Sequence, residues 1–162
     1  MTVEQKSPHA VTFAKPSDLE FSVERVFDHP IERVWAAYTD AALIPQWWGQ
    51  GTTVDRLDLR EGGGYRFVSN PGTERESAIS GDFLEVVPPT RLVQTFGMEG
   101  PYGKPFTQAI ELERVGDGTR LAITSRFDTT EEREGVLAFG AEKGAIVGWA
   151  SLDALLKKLA AA

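Results

Sequence analysis

Gln108 and Ser125 are the residues whose type and position most directly suggest chemistry in this chain, because each falls on the apolar face of a strand. In the run Phe106 to Glu113, Phe106, Gln108, Ile110 and Leu112 alternate with Thr107, Ala109, Glu111 and Glu113, and the charged set must face water. In Thr119 to Phe127 the same alternation groups Leu121, Ile123, Ser125 and Phe127 inside. An inward amide or hydroxyl without a partner costs about 1 to 3 kcal/mol, so each must bond to protein, water or a ligand. Gly116-Asp117-Gly118 between the two strands is a tight hairpin signal, which places Gln108 and Ser125 on neighbouring strands and on one side. Ile110 and Ile123 then form the apolar wall beside them.

Aromatic residues supply the other candidate contacts. Trp47 and Trp48 are adjacent at a helix end, so one indole should pack inward while the other lines an entrance. Tyr65 and Phe67 alternate with Arg66 and Val68, and the aromatic pair is the better inward set. Arg25 shares a strand face with Phe21, Val23 and Phe27, where it could hold an acidic ligand group or form an internal ion pair. Asp55 shares the parity of Leu57 and Leu59, which keeps acid–base work by an inward carboxylate open, and Tyr102 sits in a glycine-flanked loop that could serve as a lid.

Other chemistries fare poorly. The chain has no cysteine and two histidines, His9 near the start and His29 beside Pro30 at a helix start, so neither a nucleophile-His set nor a His-rich metal site can be assembled. The triplet Gly62-Gly63-Gly64 precedes a strand, whereas phosphate-cradling loops open a helix. No catalytic residue, metal or cofactor is expected.

These residues need elements to position them. Leu19 to Phe27 alternates as a first strand, Asp28-His29-Pro30 begins a short helix carrying Ile31, Val34, Trp35 and Tyr38, and a second runs from Asp40 to Trp48 and stops at Gly49. Six strands follow, near Thr53 to Leu59, Tyr65 to Ser69, Ala78 to Val87, Arg91 to Phe96, Phe106 to Val115 and Thr119 to Phe127, with links short enough for antiparallel neighbours. After Asp128, Thr129 and Glu132 have capping-box spacing, and the remaining residues read as one long amphipathic helix with Trp149, Leu152, Leu155, Leu156 and Leu159 in its stripe. Gly140, Gly144 and Gly148 recur along it at intervals of four, each at a cost of about 1 kcal/mol relative to alanine. Such a glycine face predicts a closely approaching backbone or an empty volume, and Gly144 and Gly148 are expected to border that space.

The order predicts an α+β fold, a curved antiparallel sheet of about seven strands gripping the last helix. Residues 1–18 read as an N-terminal extension, with an edge strand available around Ala10 to Ala14, and 19–162 as one domain. At 162 residues a single core buries about 68 to 70% of the unfolded chain's surface. Seventeen Lys and Arg against 24 Asp and Glu give a net charge of −7, which disfavours nucleic acid and anionic membranes as partners. No apolar run is long enough for membrane insertion and no leader is evident, so a cytoplasmic protein is expected.

Pro30 with Val34-Trp35, Thr39-Asp40, Trp47-Trp48-Gly49, Leu59 to Gly63, Gly81, Glu85 to Pro89 with Arg91-Leu92, Gly118 to Leu121, and Gly148-Trp149 with Leu152 to Leu155 together resemble the START-like helix-grip superfamily, also called SRPBCC. Within it the sequence is similar, over about residues 19 to 160, to the family named after the activator of the ninety-kilodalton heat-shock chaperone ATPase. The resemblance implies a cavity between sheet and long helix that takes a small hydrophobic or amphipathic molecule. It also implies two alternatives: a polyketide-cyclase or aldol-type enzyme, or a chaperone-interaction module. One helix-grip domain leaves no length for the separate N-terminal chaperone-binding domain that the co-chaperone uses. An ordered polar pair facing the cavity would favour the enzyme, a dry apolar cavity the carrier, and a large exposed apolar patch the interaction module.

Overall fold

Eight strands form a single antiparallel sheet in the order β1-β2-β8-β7-β6-β5-β4-β3. The structure is a computed structural model that describes residues 9–49, 51–101 and 103–161; Tyr102, the lid candidate, lies outside the described residues. β1 (Thr12–Ser17) and β2 (Glu20–Phe27) pair as a hairpin, so the N-terminal extension contributes the eighth strand. After α1 (Ile31–Thr39) and α2 (Pro45–Trp48) come β3 (Thr52–Leu57), β4 (Gly64–Ser69), β5 (Ser77–Val87), β6 (Arg91–Met98), β7 (Phe106–Val115) and β8 (Gly118–Arg126). Because β2 closes onto β8, the first and last long strands are neighbours, and the sheet is held together by a non-local pair.

α2 is shorter than the sequence predicts. Asp40 to Ile44 form a turn, in which the Asp40 carboxylate accepts a bond from the Ala42 amide at 2.8 Å. Regular helix begins only at Pro45, whose fixed φ suits a first helical position and whose missing amide suits no later one. The terminal helix is also not continuous. α3 (Thr130–Ala138) and α4 (Ala141–Ala161) are separated at Gly140, whose φ of +93° lies where a side chain is strained. Of the expected capping box, the Thr129 hydroxyl accepts from the Glu132 amide at 3.1 Å, while the Glu132 carboxylate reaches the Asp128 amide.

The core lies between the inner face of the sheet and α1, α2 and α4. Trp149, Leu152, Leu155 and Leu156 are all buried, as the stripe requires. Trp149 joins three elements: its indole donates to the Tyr38 hydroxyl at 2.8 Å, its ring meets Phe27 edge-on at 6.0 Å, and its carbonyl accepts from Arg25 at 3.3 Å. No described helix is long and apolar enough to cross a membrane.

Arg25 forms the internal ion pair. Its guanidinium lies 3.4 Å from Asp153 on α4 and over the Phe27 ring, with 4.4 Å to the centroid. The imidazole of His29, itself buried, stands 3.4 Å from the other Asp153 oxygen, and Lys157 closes the group at 3.0 Å. Burial alone would raise the Asp153 pKa, but the Lys157 hydrogen bond and the charges of Arg25, Lys157 and His29 outweigh it and hold the carboxyl below its ordinary 3.8.

A depressed carboxyl pKa contributes stability above the unfolded value that is lost as pH falls through the folded one. Asp153→Asn should therefore lower unfolding free energy by about 1–3 kcal/mol at pH 7, less than the about 3–5 kcal/mol of a fully buried pair. Denaturant melts should show that gap shrinking below about pH 4; a gap independent of pH would mean that the charge on Asp153 contributes nothing.

Candidate functional site

Strand register builds the site. Phe83, Gln94, Gln108, Ser125 and Phe21 are consecutive direct partners across β5, β6, β7, β8 and β2, so they form one transverse row on the inner face. Gln108 and Ser125 thus stand opposite each other, set by the two-residue turn at Gly116-Asp117, where Gly116 takes φ +59°. An apolar row, Leu92, Ile110, Ile123 and Val23, lies on one side, and Phe96 paired with Phe106 on the other. The Gln94 amide donates to the Gln108 carbonyl oxygen at 3.1 Å.

Above this row is a partly enclosed cavity of about 70 Å³. Trp47, Trp48, Tyr65, Phe67, Gln108, Ile110 and Ile123, all expected at the site, line it. Trp47 is the inward indole, donating to the Ala37 carbonyl at 2.8 Å, while Trp48 is half-buried and meets Phe67 edge-on at 5.4 Å. Tyr65 and Phe67 face inward, and Arg66 faces water between Asp55 and Glu99.

Other expected residues lie elsewhere. Ser125 is buried in the row beside Gln108 and does not line the cavity. Gly144 is exposed and Gly148 half-buried; neither lines the cavity, and a Cβ at either would meet nothing within 4 Å. Asp55 faces outward because β3 carries a bulge between Val54 and Arg56 that reverses its alternation, leaving Val54 and Leu57 inside.

Sequence reading does not place Tyr38, Ile44, Leu57, Phe83 or Gln94 at the site, though all line the cavity. Gln94 shares parity with Leu92 and Phe96 in β6, but Val93 on the other parity is buried and apolar too, so alternation alone marks no inner side. At Gly81 a Cβ would run into the Thr95 carbonyl and lie 2.8 Å from the Tyr65 ring. Its absence lets the ring lie against the sheet, with the hydroxyl donating to the Thr95 carbonyl at 2.7 Å.

Among the described residues, the cavity's ionisable side chains are Tyr38 and Tyr65. Burial pushes both hydroxyls far above the ordinary phenol range, opposed at Tyr38 by the Trp149 bond and reinforced at Tyr65 by Asp82. Both are neutral at physiological pH. Among the described residues, no group of three or more His, Asp or Glu could hold a metal ion.

A family model described as activator of Hsp90 ATPase homolog 1-like protein matches residues 28–160. The chain belongs to this family. Protein Ms6760 of Mycobacterium smegmatis has the same fold, with a TM-score of 0.82, 24% identity, and coverage of 93% of this chain and 99% of that one. A Rhodobacter sphaeroides protein is similar at 25% identity over 93% and 99% of the two chains, with a TM-score of 0.82. Protein NE0264 of Nitrosomonas europaea reaches 26% identity and a TM-score of 0.78, over 91% of this chain and all of its own. No curated protein matches the sequence. The fold is thus the expected helix-grip, with eight strands where about seven were expected.

Gly81→Ala should cost about 1–3 kcal/mol, since the added methyl displaces either the Tyr65 ring or the β6 backbone. Chemical denaturation checks the loss, and a parent-like midpoint would show that β5 and β6 part freely at this point.

Proposed function

We propose that the protein binds a small apolar or amphipathic molecule between the inner face of its sheet and its helices. The observation that carries this reading is an aromatic and aliphatic cavity containing one pair of carboxamides. Ligand sites are typically mostly apolar with a few placed polar groups. Size limits the occupant: known pockets for drug-sized ligands run to about 300–1,000 Å³, whereas this one is about 70 Å³. It takes a short chain as it stands, and a single small ring if half-buried Trp48 gives way.

An ordered polar pair does face the cavity, the arrangement expected of an enzyme. Both members are amides, however, and neither gains or loses a proton. With the two tyrosines held neutral, the cavity offers orientation without general acid–base catalysis, which supports binding over the cyclase or aldol reading.

One observation favours a second reading, a protein-contact module. Phe139 is 95% exposed at the bend between α3 and α4, and Ile146 and Val147 on α4 are exposed at 48% and 59%. The occupant of that surface would be a protein and not the cavity's ligand.

Titration with toluene, followed by NMR, should shift the indole N–H resonances of Trp47 and Trp48, and Ile123→Phe, which fills the cavity, should abolish the effect. Unmoved resonances in the parent would overturn cavity binding. Phe139→Ser should leave toluene binding intact.

A further inference from the structure

The Gln94–Gln108 couple is incomplete as the protein alone builds it. Gln94 Nε2 donates to Gln108 Oε1 at 3.1 Å, which leaves Gln94 Oε1 and Gln108 Nε2 without a protein partner among the described residues. Both residues line the cavity, and Gln94 is only 7% exposed. Exchanging oxygen and nitrogen in both amides reverses the direction of the bond but not the inventory: two side-chain amides joined by one bond always retain one free carbonyl and one free NH2. Strand register fixes them as direct neighbours, and both residues line the one cavity.

Resting on the cavity-binding reading above, we infer that this couple selects a neutral ligand bearing a lactam-type edge, an N–H beside a C=O. The ligand N–H donates to the free carboxamide oxygen and its C=O accepts from the free NH2, closing a ring of three amides in which every group is satisfied. A ligand with only an acceptor or only a donor leaves one buried amide group unpaired, which is the costly outcome in an apolar site. Charge is selected against as well. Among the described residues no Asp, Glu, Lys, Arg or His lines the cavity, so a carboxylate or ammonium would enter without a counter-charge from them. The flat walls offered by Trp48, Phe67 and Phe83 suit a planar ring. A single water donating one bond and accepting another can close the same ring, and it is the competitor that a ligand displaces.

Three probes of nearly equal size separate these statements: 2-pyridone, N-methyl-2-pyridone, which lacks the donor, and toluene, which lacks both groups. Affinities by NMR titration should favour 2-pyridone over its N-methyl form by about tenfold, the worth of one buried hydrogen bond. In Gln94→Met/Gln108→Met, which removes both partners at similar volume, the two should bind equally while toluene binding is kept or improved. Equal binding of 2-pyridone and N-methyl-2-pyridone by the parent, with toluene bound, would overturn the lactam assignment and leave cavity binding standing; a water held by the couple gives that result. Failure of all three probes would overturn both. If the double variant does not fold, the parent still decides: the side-chain carbonyl carbon resonance of Gln94, which accepts the ligand N–H, should move with 2-pyridone and not with N-methyl-2-pyridone, and equal movement overturns the assignment.

Discussion

One face of an eight-stranded sheet must be covered by helices that enter the sequence at its two ends, and Trp149 is where that covering is fixed. Its ring, its indole N–H and its carbonyl are each used, by Phe27, Tyr38 and Arg25 in turn. Directionless burial of the α4 stripe would hold the helix against the sheet without fixing its rotation or depth. Hydrogen bonds at 2.8 and 3.3 Å on the same residue supply that missing specification. The Tyr38 hydroxyl that takes the indole bond also belongs to the cavity wall, so the same contact joins α4 to the site.

The charged group around Asp153 adds to the same end of the helix. Moving a guanidinium and a carboxylate out of water is costly, and their attraction repays it only with good geometry. Here Arg25 is incompletely repaid, since its Nε is buried without a partner. Lys157 and the His29 imidazole crowd the same carboxylate. The cluster therefore ties α4, through Asp153, to β2 at Arg25 and to the start of α1 at His29 in one registration.

Alternation made most of the sheet legible, because β7 and β8 carry most of their charges on one face and, Gln108 and Ser125 apart, mostly apolar residues on the other. It failed at β3, where a single extra residue reverses inside and outside and no composition signal marks the bulge. It also under-read Gln94, whose strand has apolar residues on both faces, Val93 as well as Leu92, so parity there identifies no inner side. The terminal helix was read as continuous because periodicity survives a break of about one turn. Gly140 was seen, but in a row of three glycines at helical spacing its positive φ cannot be told from the helical φ of the others. The cavity's smallness was illegible altogether: it depends on how six aromatic rings tilt against one another, which no pattern in the chain encodes.

α3 and α4 are moored unequally. α3 is tied to the β1–β2 turn through Arg133 to the Ser17 carbonyl and Thr130 to the Asp18 carbonyl, and the C-terminal half of α4 is held by Trp149 and Asp153. Between these moorings lie exposed Phe139, Gly140 with its left-handed backbone, and two helical glycines with empty space beside them. Glycines withhold about 1 kcal/mol each from helix formation, so the first turns of α4 melt at a lower free energy than its last. Local opening there breaks neither the sheet nor the Trp149 contacts. The first turns of α4 therefore form a unit of their own, whose amides exchange by local opening while those around Trp149 wait for the sheet to come apart.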